Sequence, residues 1–439
     1  MPPVAVPIEN ATSVLQEGSP HRSRRASLRV LTRNIGRVVL GNLAFDTWYY
    51  SPYPDNIILG PETSTTKYTP GSAADLRQAT AHAHGAGQPQ CERLYVCPCC
   101  FLYTPKEHDF AQHMAIHRAR REQGLETQPV PESAVKVYEW EGHAVWEIDG
   151  EREKLYCQNL SLFGKLFLEQ KSVFFDTSGF KYYVLTYTKL EPSVPVATKG
   201  RGRKRSSSVL EDDVLYQSQV LGFFSKENLS WDANNLACIL VFPPFQHRQL
   251  GQLLMAVSYK LSGWEWEGGV IGGPEKPLSA MGRKSYLRFW SERIARFFMG
   301  QSADADAKTV FYKRKRTLHS RKEEMTVKEI GDRTGMLGED VVAALNEMGI
   351  LEVVPSKRKN RISSSEANGN TAQGEVEAEQ EMASMSIHRS KVVDWAARHN
   401  VNLTSPVREE GFLGEWALSD VDESGVSDAE DADSNESLA

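Results

Sequence analysis

No run of about 18 apolar residues occurs in the 439-residue chain, which excludes a membrane-spanning helix. The opening residues, MPPVAVPIENATS, lack the charged-then-apolar layout of a secretory signal. Cysteine is scarce: six residues, at 91, 97, 99, 100, 157 and 238, four of them within ten positions. So few and so clustered, they suit a metal site in a reducing compartment better than a disulfide framework. Positive charge is missing from the end, where residues 409–439 hold 11 acidic residues and no Lys or Arg. Without those 11, the chain carries 51 basic against 46 acidic residues. A mildly basic body with an acidic tail suits polyanion-rich surroundings, although a solvated, disordered tail accounts for the charge equally well.

What is present divides into blocks. Residues 1–33 are polar and read as disordered. Val30 to Tyr53 turns apolar and aromatic, reading as a strand and a packed turn, and 60–89 is a low-complexity insertion. Val135–Ile148 alternates like a hairpin, and Val173–Thr188 reads as two strand runs around Ser178-Gly179. A basic loop, 189–212, interrupts that region. Tyr216–Lys226 and Asn235–Phe242 read as strands, the second apolar enough to be central to its sheet. Residues 251–262 and 283–299 read as helices. From Thr326 the order is helix, helix and a strand at Gly349–Leu351, the layout of a helix-turn-helix or winged-helix module. An insertion at 355–386 and a last ordered piece with Trp395 and Trp416 follow.

Cys97-x2-Cys100-x12-His113-x3-His117 has zinc-ligand spacing. Zinc takes four thiolate or imidazole ligands as a tetrahedron, and two His four residues apart share one face of a helix. Cys99 and His108 read as bystanders. Such a finger suggests DNA reading, yet one finger reads about 3 base pairs. Its base-facing stretch, Lys106 to Gln112, includes Glu107 and Asp109, and Thr104 stands where such fingers pack an aromatic. A structural zinc is the better reading.

Two further segments carry chemistry. The strand ending in Cys238-Ile239-Leu240-Val241-Phe242 enters a turn from Gln246 and a helix near Gly251, an arrangement whose free N–H groups suit a pyrophosphate. Gly272-Gly273-Pro274-Glu275-Lys276-Pro277 brackets a carboxylate between prolines, and a rigidly held carboxylate near apolar strands can serve as a general base.

These segments, with TWYYSPYP (47–54), the Cys/His block from Leu94 to His117, EIDGEREKLYCQNLSLFGKLFLEQK (147–171), FFSKE (223–227), NLACIL (235–240), PPFQ (243–246) and GGPEKPLS (272–279), resemble the MYST family of lysine acetyltransferases from about Ile35 to Trp416. The GGPEKPLS wording looks most similar to the fungal "something about silencing" branch, which acts on histone H4. The resemblance implies an α+β fold: a central acetyl-CoA-binding, GNAT-like acyltransferase core (131–300) between an N-terminal region with a C2H2-type zinc finger (34–130) and a C-terminal winged helix (301–418), then an acidic tail (419–439). By position it makes Glu275 the general base and puts Cys238 beside the acetyl group. Ile239, Leu240 and Val241 become backbone contacts to acetyl-CoA, and Gln246, His247, Arg248, Gln249, Leu250, Gly251 and Gln252 the pyrophosphate turn. Ser279 and Arg288 fall on further cofactor contacts, and Lys171 on the lysine that family members acetylate on themselves.

Four positions depart from the family pattern. Its turn reads Gln-Arg-x-Gly-x-Gly, whereas this chain has His247 and Gln249 at the second and fourth places; Arg288 replaces a serine; and His117 replaces a cysteine. The resemblance further implies a nuclear enzyme acting on a histone tail, that of H4, within a multi-subunit complex. Basic clusters at 199–205, 313–316 and 357–361 add weak nucleosomal DNA contact or import signals, with solvated loop charge an equal reading. A catalytically weak chromatin adaptor is the alternative.

Overall fold

The computed structural model describes residues 33–58, 90–189, 218–263, 265, 269–299, 324–351 and 386–417. The expectations for 1–32, the 60–89 insertion, the loop after Lys189, the three basic clusters, most of the 355–386 insertion and the acidic tail lie outside them.

Two sheets and a two-stranded ribbon share one apolar core. The first sheet has the order β2-β1-β3-β4, from Ile35–Leu40 (β1), Leu43–Asp46 (β2), Cys91–Val96 (β3) and Tyr103–Thr104 (β4). The single strand read from Val30 is therefore a hairpin, because Gly41 takes φ +62° and turns the chain. Helix α1 (Glu107–Glu122) follows and buries no residue.

The main sheet is an antiparallel meander, β5-β6-β7-β8-β9: Val135–Trp140, His143–Asp149, Phe180–Thr188, Ser218–Glu227 and Cys238–Val241. Helix α2 (Lys154–Lys165) joins β6 to β7. It anchors the N-terminal region: Trp48 and Tyr49 both donate N–H bonds to Leu166 O at 3.0 Å, and Ser51 Oγ donates to Leu162 O at 3.0 Å. Two expectations are corrected here. Residues 173–179 form no strand, because Thr177 and Gly179 are spent in the turn that feeds β7. And β9 is an edge strand, paired among the described residues with β8 alone apart from a parallel bridge between Leu236 and Pro274. Its apolar side chains meet α3 (Leu250–Lys260) rather than a further strand.

Helix α4 (Ala280–Met299) carries the remaining region on its back, packing against α5 (Val327–Thr334), α6 (Gly338–Glu347) and α7 (Arg389–Arg398). A capping box starts α5: Thr326 Oγ1 accepts from Glu329 N at 3.2 Å while the Glu329 carboxylate accepts from Thr326 N at 2.9 Å. Ile350 and Leu351 form no strand; the ribbon in this region is Glu324–Thr326 (β10) against Ser386–His388 (β11). The last segment returns to β5 through Leu413 N to Val137 O at 3.0 Å and the Tyr138–Phe412 ring pair. Among the described residues no helix is long and apolar enough to cross a membrane.

Candidate active site and metal centre

The metal centre begins where β3 ends. Cys97 N donates to Leu102 O at 2.8 Å and Phe101 N to Cys97 O at 3.0 Å, folding Cys97–Cys100 into a tight knuckle. Phe101 closes it at φ +57° with its ring fully buried. Helix α1 presents His113 and His117 one turn apart, and the four ligand atoms lie within 4.8 Å of one another. Cys100 Sγ is 3.2 Å from His113 Nε2 and 3.5 Å from His117 Nε2, and the two Nε2 atoms are 3.1 Å apart. Zinc bonds of about 2.0–2.3 Å give tetrahedral edges of roughly 3.3–3.8 Å, so this two-sulfur, two-nitrogen set fits that ion. Burial, and then His117 beside it, push His113 below the usual imidazole value, which keeps its Nε2 lone pair free.

Glu126 was not foreseen. Its carboxylate accepts from His117 Nδ1 at 2.7 Å, fixing the tautomer that leaves Nε2 to a metal. Arg121 joins the same cluster, donating to Cys99 Sγ at 2.7 Å and lying 3.5 Å from Glu126. Cys99 thus has a structural partner outside the four-ligand set. His108 is exposed and meets Gln112 at 2.9 Å.

The second centre lies at the β9 edge of the main sheet. Loop 272–279 runs beside the start of β9: Asn235 N donates to Gly273 O at 2.8 Å, and Glu275 N to Leu236 O at 2.9 Å. Any Cβ on Gly272 would come within 2.1 Å of Ala233 O, so only glycine permits this approach. The Glu275 side chain emerges at the surface, where partial burial, and then Glu227 at the end of β8, raise its pKa against the pull of Lys171. Lys171 is 4% exposed, its ammonium 6.0 Å over the Phe223 ring. Burial lowers its pKa, opposed by Cys238, Cys157 and Glu275 in that order. Glu275, Cys238 and Lys171 therefore share one electrostatic neighbourhood, although their sequence positions span more than 100 residues. Glu227, inside the FFSKE block but given no role by the sequence, belongs to it too.

Cys238 is half-buried and pairs with Ser225; of the next three residues Leu240 is buried while Ile239 and Val241 are half-buried. The chain then turns through Pro243–Phe245, and Gln246 Nε2 donates back to Val241 O at 2.9 Å. His247 and Gln249 take φ +64° and +62°, the left-handed region that glycine favours. Gln249 caps α3 without a side-chain hydrogen bond, so the first N–H groups of the helix are not blocked by their own cap. A Cβ on Gly251 would meet nothing within 4 Å. Gln252 instead turns inward, donating to Ser285 O at 3.4 Å. A cavity of about 610 Å³ adjoins the turn, lined by Phe245, Arg248, Gln249 and Leu250 with Glu292 and Arg296 of α4, and it reaches neither Cys238 nor Glu275. Ser279 Oγ accepts from Gly282 N at 3.1 Å at the start of α4. Arg288, 57% exposed, is paired with Glu292 at 2.7 Å.

The MOZ/SAS family model matches residues 131–200 and 208–392, which include Glu275 and Cys238 but not the metal centre. The chain is 30% identical over 322 residues to histone acetyltransferase SAS2 of Saccharomyces cerevisiae, covering 73% of this chain and 75% of that protein. It is likewise 30% identical over 318 residues to histone acetyltransferase MOF of Drosophila melanogaster, covering 72% of this chain but only 28% of the fly protein. With histone acetyltransferase esa-1 of Neurospora crassa the identity is 30% over 278 residues, 63% of this chain and 41% of that one. A match over more than half the chain, with its strands and helices in a mixed α/β arrangement, carries one conclusion: the chain belongs to the MOZ/SAS family, that of the MYST histone acetyltransferases.

Proposed function

We propose that this chain moves an acetyl group from acetyl-CoA to a lysine amine of a histone tail, with Glu275 as general base; the H4 tail is the substrate that the GGPEKPLS resemblance implies. The observation that carries this reading is the Glu275 carboxylate, raised by burial and by Glu227, on a loop fixed against β9. A free lysine has a pKa near 10.4 and is protonated at neutral pH, so its proton must leave before it attacks. Glu275 takes that proton, and Glu227 makes it the stronger base for doing so. The amine nitrogen then bonds to the thioester carbonyl carbon, the C–S bond breaks, and coenzyme A leaves as the thiol once protonated. A backbone N–H near Cys238 steadies the oxyanion. Transfer is direct, with Cys238 lining the acetyl site.

Acetyl-CoA would lie along the open edge of β9 with its pyrophosphate at the start of α3. The left-handed backbone at His247 and Gln249 retains the path of a glycine turn, which favours the enzyme over the adaptor reading. Zinc, held by Cys97, Cys100, His113 and His117, would be structural, and the α5–α6 region would be a winged helix. Lys171 is the candidate for self-acetylation, since burial lowers its pKa towards the neutral amine. A nuclear setting and companion subunits complete the proposal.

The test is acetyl transfer from labelled acetyl-CoA to histones or nucleosomes, with purified chain and with partner subunits added. Label on the H4 tail that vanishes in Glu275→Gln supports it. Absence of label under both conditions sinks it.

A further inference from the structure

The two ends of the Glu275 loop are held differently. Its N-terminal side is fixed to the catalytic sheet by the main-chain bonds of Gly273 and Glu275 to Asn235 and Leu236. Its C-terminal side is fixed by a side chain: Lys276 Nζ donates to Asp340 Oδ1 at 2.8 Å and also meets Glu339, both in the first turn of α6. Glu339 is an exposed rim partner, whereas the Asp340 side chain is 1% exposed and its second oxygen has no hydrogen-bond partner. The loop backbone rests on that carboxylate, because a Cβ on Gly273 would lie 2.7 Å from Asp340 Oδ2 and 3.0 Å from Leu337.

A buried ion pair is weak as a source of stability, since an apolar pair of similar volume often serves as well. Its better-attested use is to fix geometry. Asp340 is itself fixed, seated at the start of a helix whose dipole favours a carboxylate and which packs on α4.

We infer that Asp340 is a positioning residue: by gripping Lys276 it sets the Glu275 carboxylate against its substrate, so the region beyond residue 324 completes the catalytic loop. The inference rests on the reading of Glu275 as base. A base displaced by about 1 Å loses on the order of a hundredfold in rate while substrate binding survives.

The experiment compares Asp340→Asn, Lys276→Met, the apolar double replacement Asp340→Leu with Lys276→Met, and Glu275→Gln, in the full chain with its partner subunits, using acetyl-CoA and a histone peptide. Each single variant is expected to lose about ten- to a hundredfold in kcat, with KM for both substrates within about threefold. The double variant should be no slower than the slower single one, and should recover the thermal stability that Lys276→Met alone loses. Loosening also frees Glu275 from the partial burial and the Glu227 charge that raise its pKa, which outweigh the opposing Lys171, so the acid limb of kcat/KM moves to lower pH. A role confined to stability would not move that limb. Wild-type kcat per folded molecule in Asp340→Asn and Lys276→Met, with Glu275→Gln inactive, overturns the inference. An active Glu275→Gln overturns instead the base on which it rests.

Discussion

Phe101→Ala tests whether the metal knuckle is part of the catalytic core or an appended finger. The Phe101 ring is fully buried and lies 5.6 Å from Tyr156, 5.5 Å from Phe163 and 6.0 Å from Phe242, centroid to centroid. Tyr156 and Phe163 belong to α2, and Phe242 follows directly on β9. Truncating a buried phenylalanine to alanine costs about 3–5 kcal/mol, and aromatic pairs of this geometry contribute roughly 0.5–1.5 kcal/mol each beyond burial. The left-handed φ of +57° burdens alanine as much as phenylalanine, so nothing is recovered there. Phe101→Gly removes that strain and should be less destabilised than Phe101→Ala by about 1 kcal/mol. Urea denaturation of the metal-loaded protein, followed by tryptophan fluorescence, reads both. A loss below about 1 kcal/mol for Phe101→Ala, or equal losses for the two variants, would refute the reasoning. It would mean that the knuckle folds without leaning on α2 and β9.

Chelation of the metal should expose α1, which buries no residue and is tied down through His113 and His117; trypsin cleavage at Arg118, Arg120 or Arg121 should then become faster than in the metal-loaded protein. Unchanged resistance after chelation contradicts a metal-held helix. If Glu275 is the base proposed above, the acid limb of kcat/KM should lie above the ordinary glutamate value, because its pKa is raised; Glu227→Gln should bring the limb down, and a limb that stays put removes Glu227 from the site. Gln249→Gly relieves the strained residue in the turn and admits a phosphate more closely, so it should raise stability by up to about 1 kcal/mol and lower KM for acetyl-CoA. A raised KM would show that the glutamine side chain itself holds the cofactor.

The parts legible in the sequence are those whose chemistry is local. Cys97, Cys100, His113 and His117 fall within 21 residues, and helix and knuckle geometry bring them together without help from the rest of the chain. The periodic stretches that became α3 and α4 were legible for the same reason. Position within a sheet was not: the apolar run of β9 reads alike whether a strand or a helix and loop cover it. Nor was the Lys276–Asp340 pair, whose members are 64 residues apart and individually indistinguishable from surface charges. Glu126 was hidden likewise, since nothing in its neighbours announces that a loop returns it to His117. The left-handed backbone at Gln249 lay beyond reach because the turn imposes it on a side chain that disfavours it.

The edge position of β9 also bears on how the protein should be handled. An apolar strand with one unpaired side is a template for pairing with another chain, and edge strands of this kind drive aggregation unless something covers them. A ligand lying along that side covers it, and binding to the folded chain alone shifts the folding equilibrium in proportion to the logarithm of its concentration. Coenzyme A added during purification should therefore improve solubility and recovery, quite apart from any turnover.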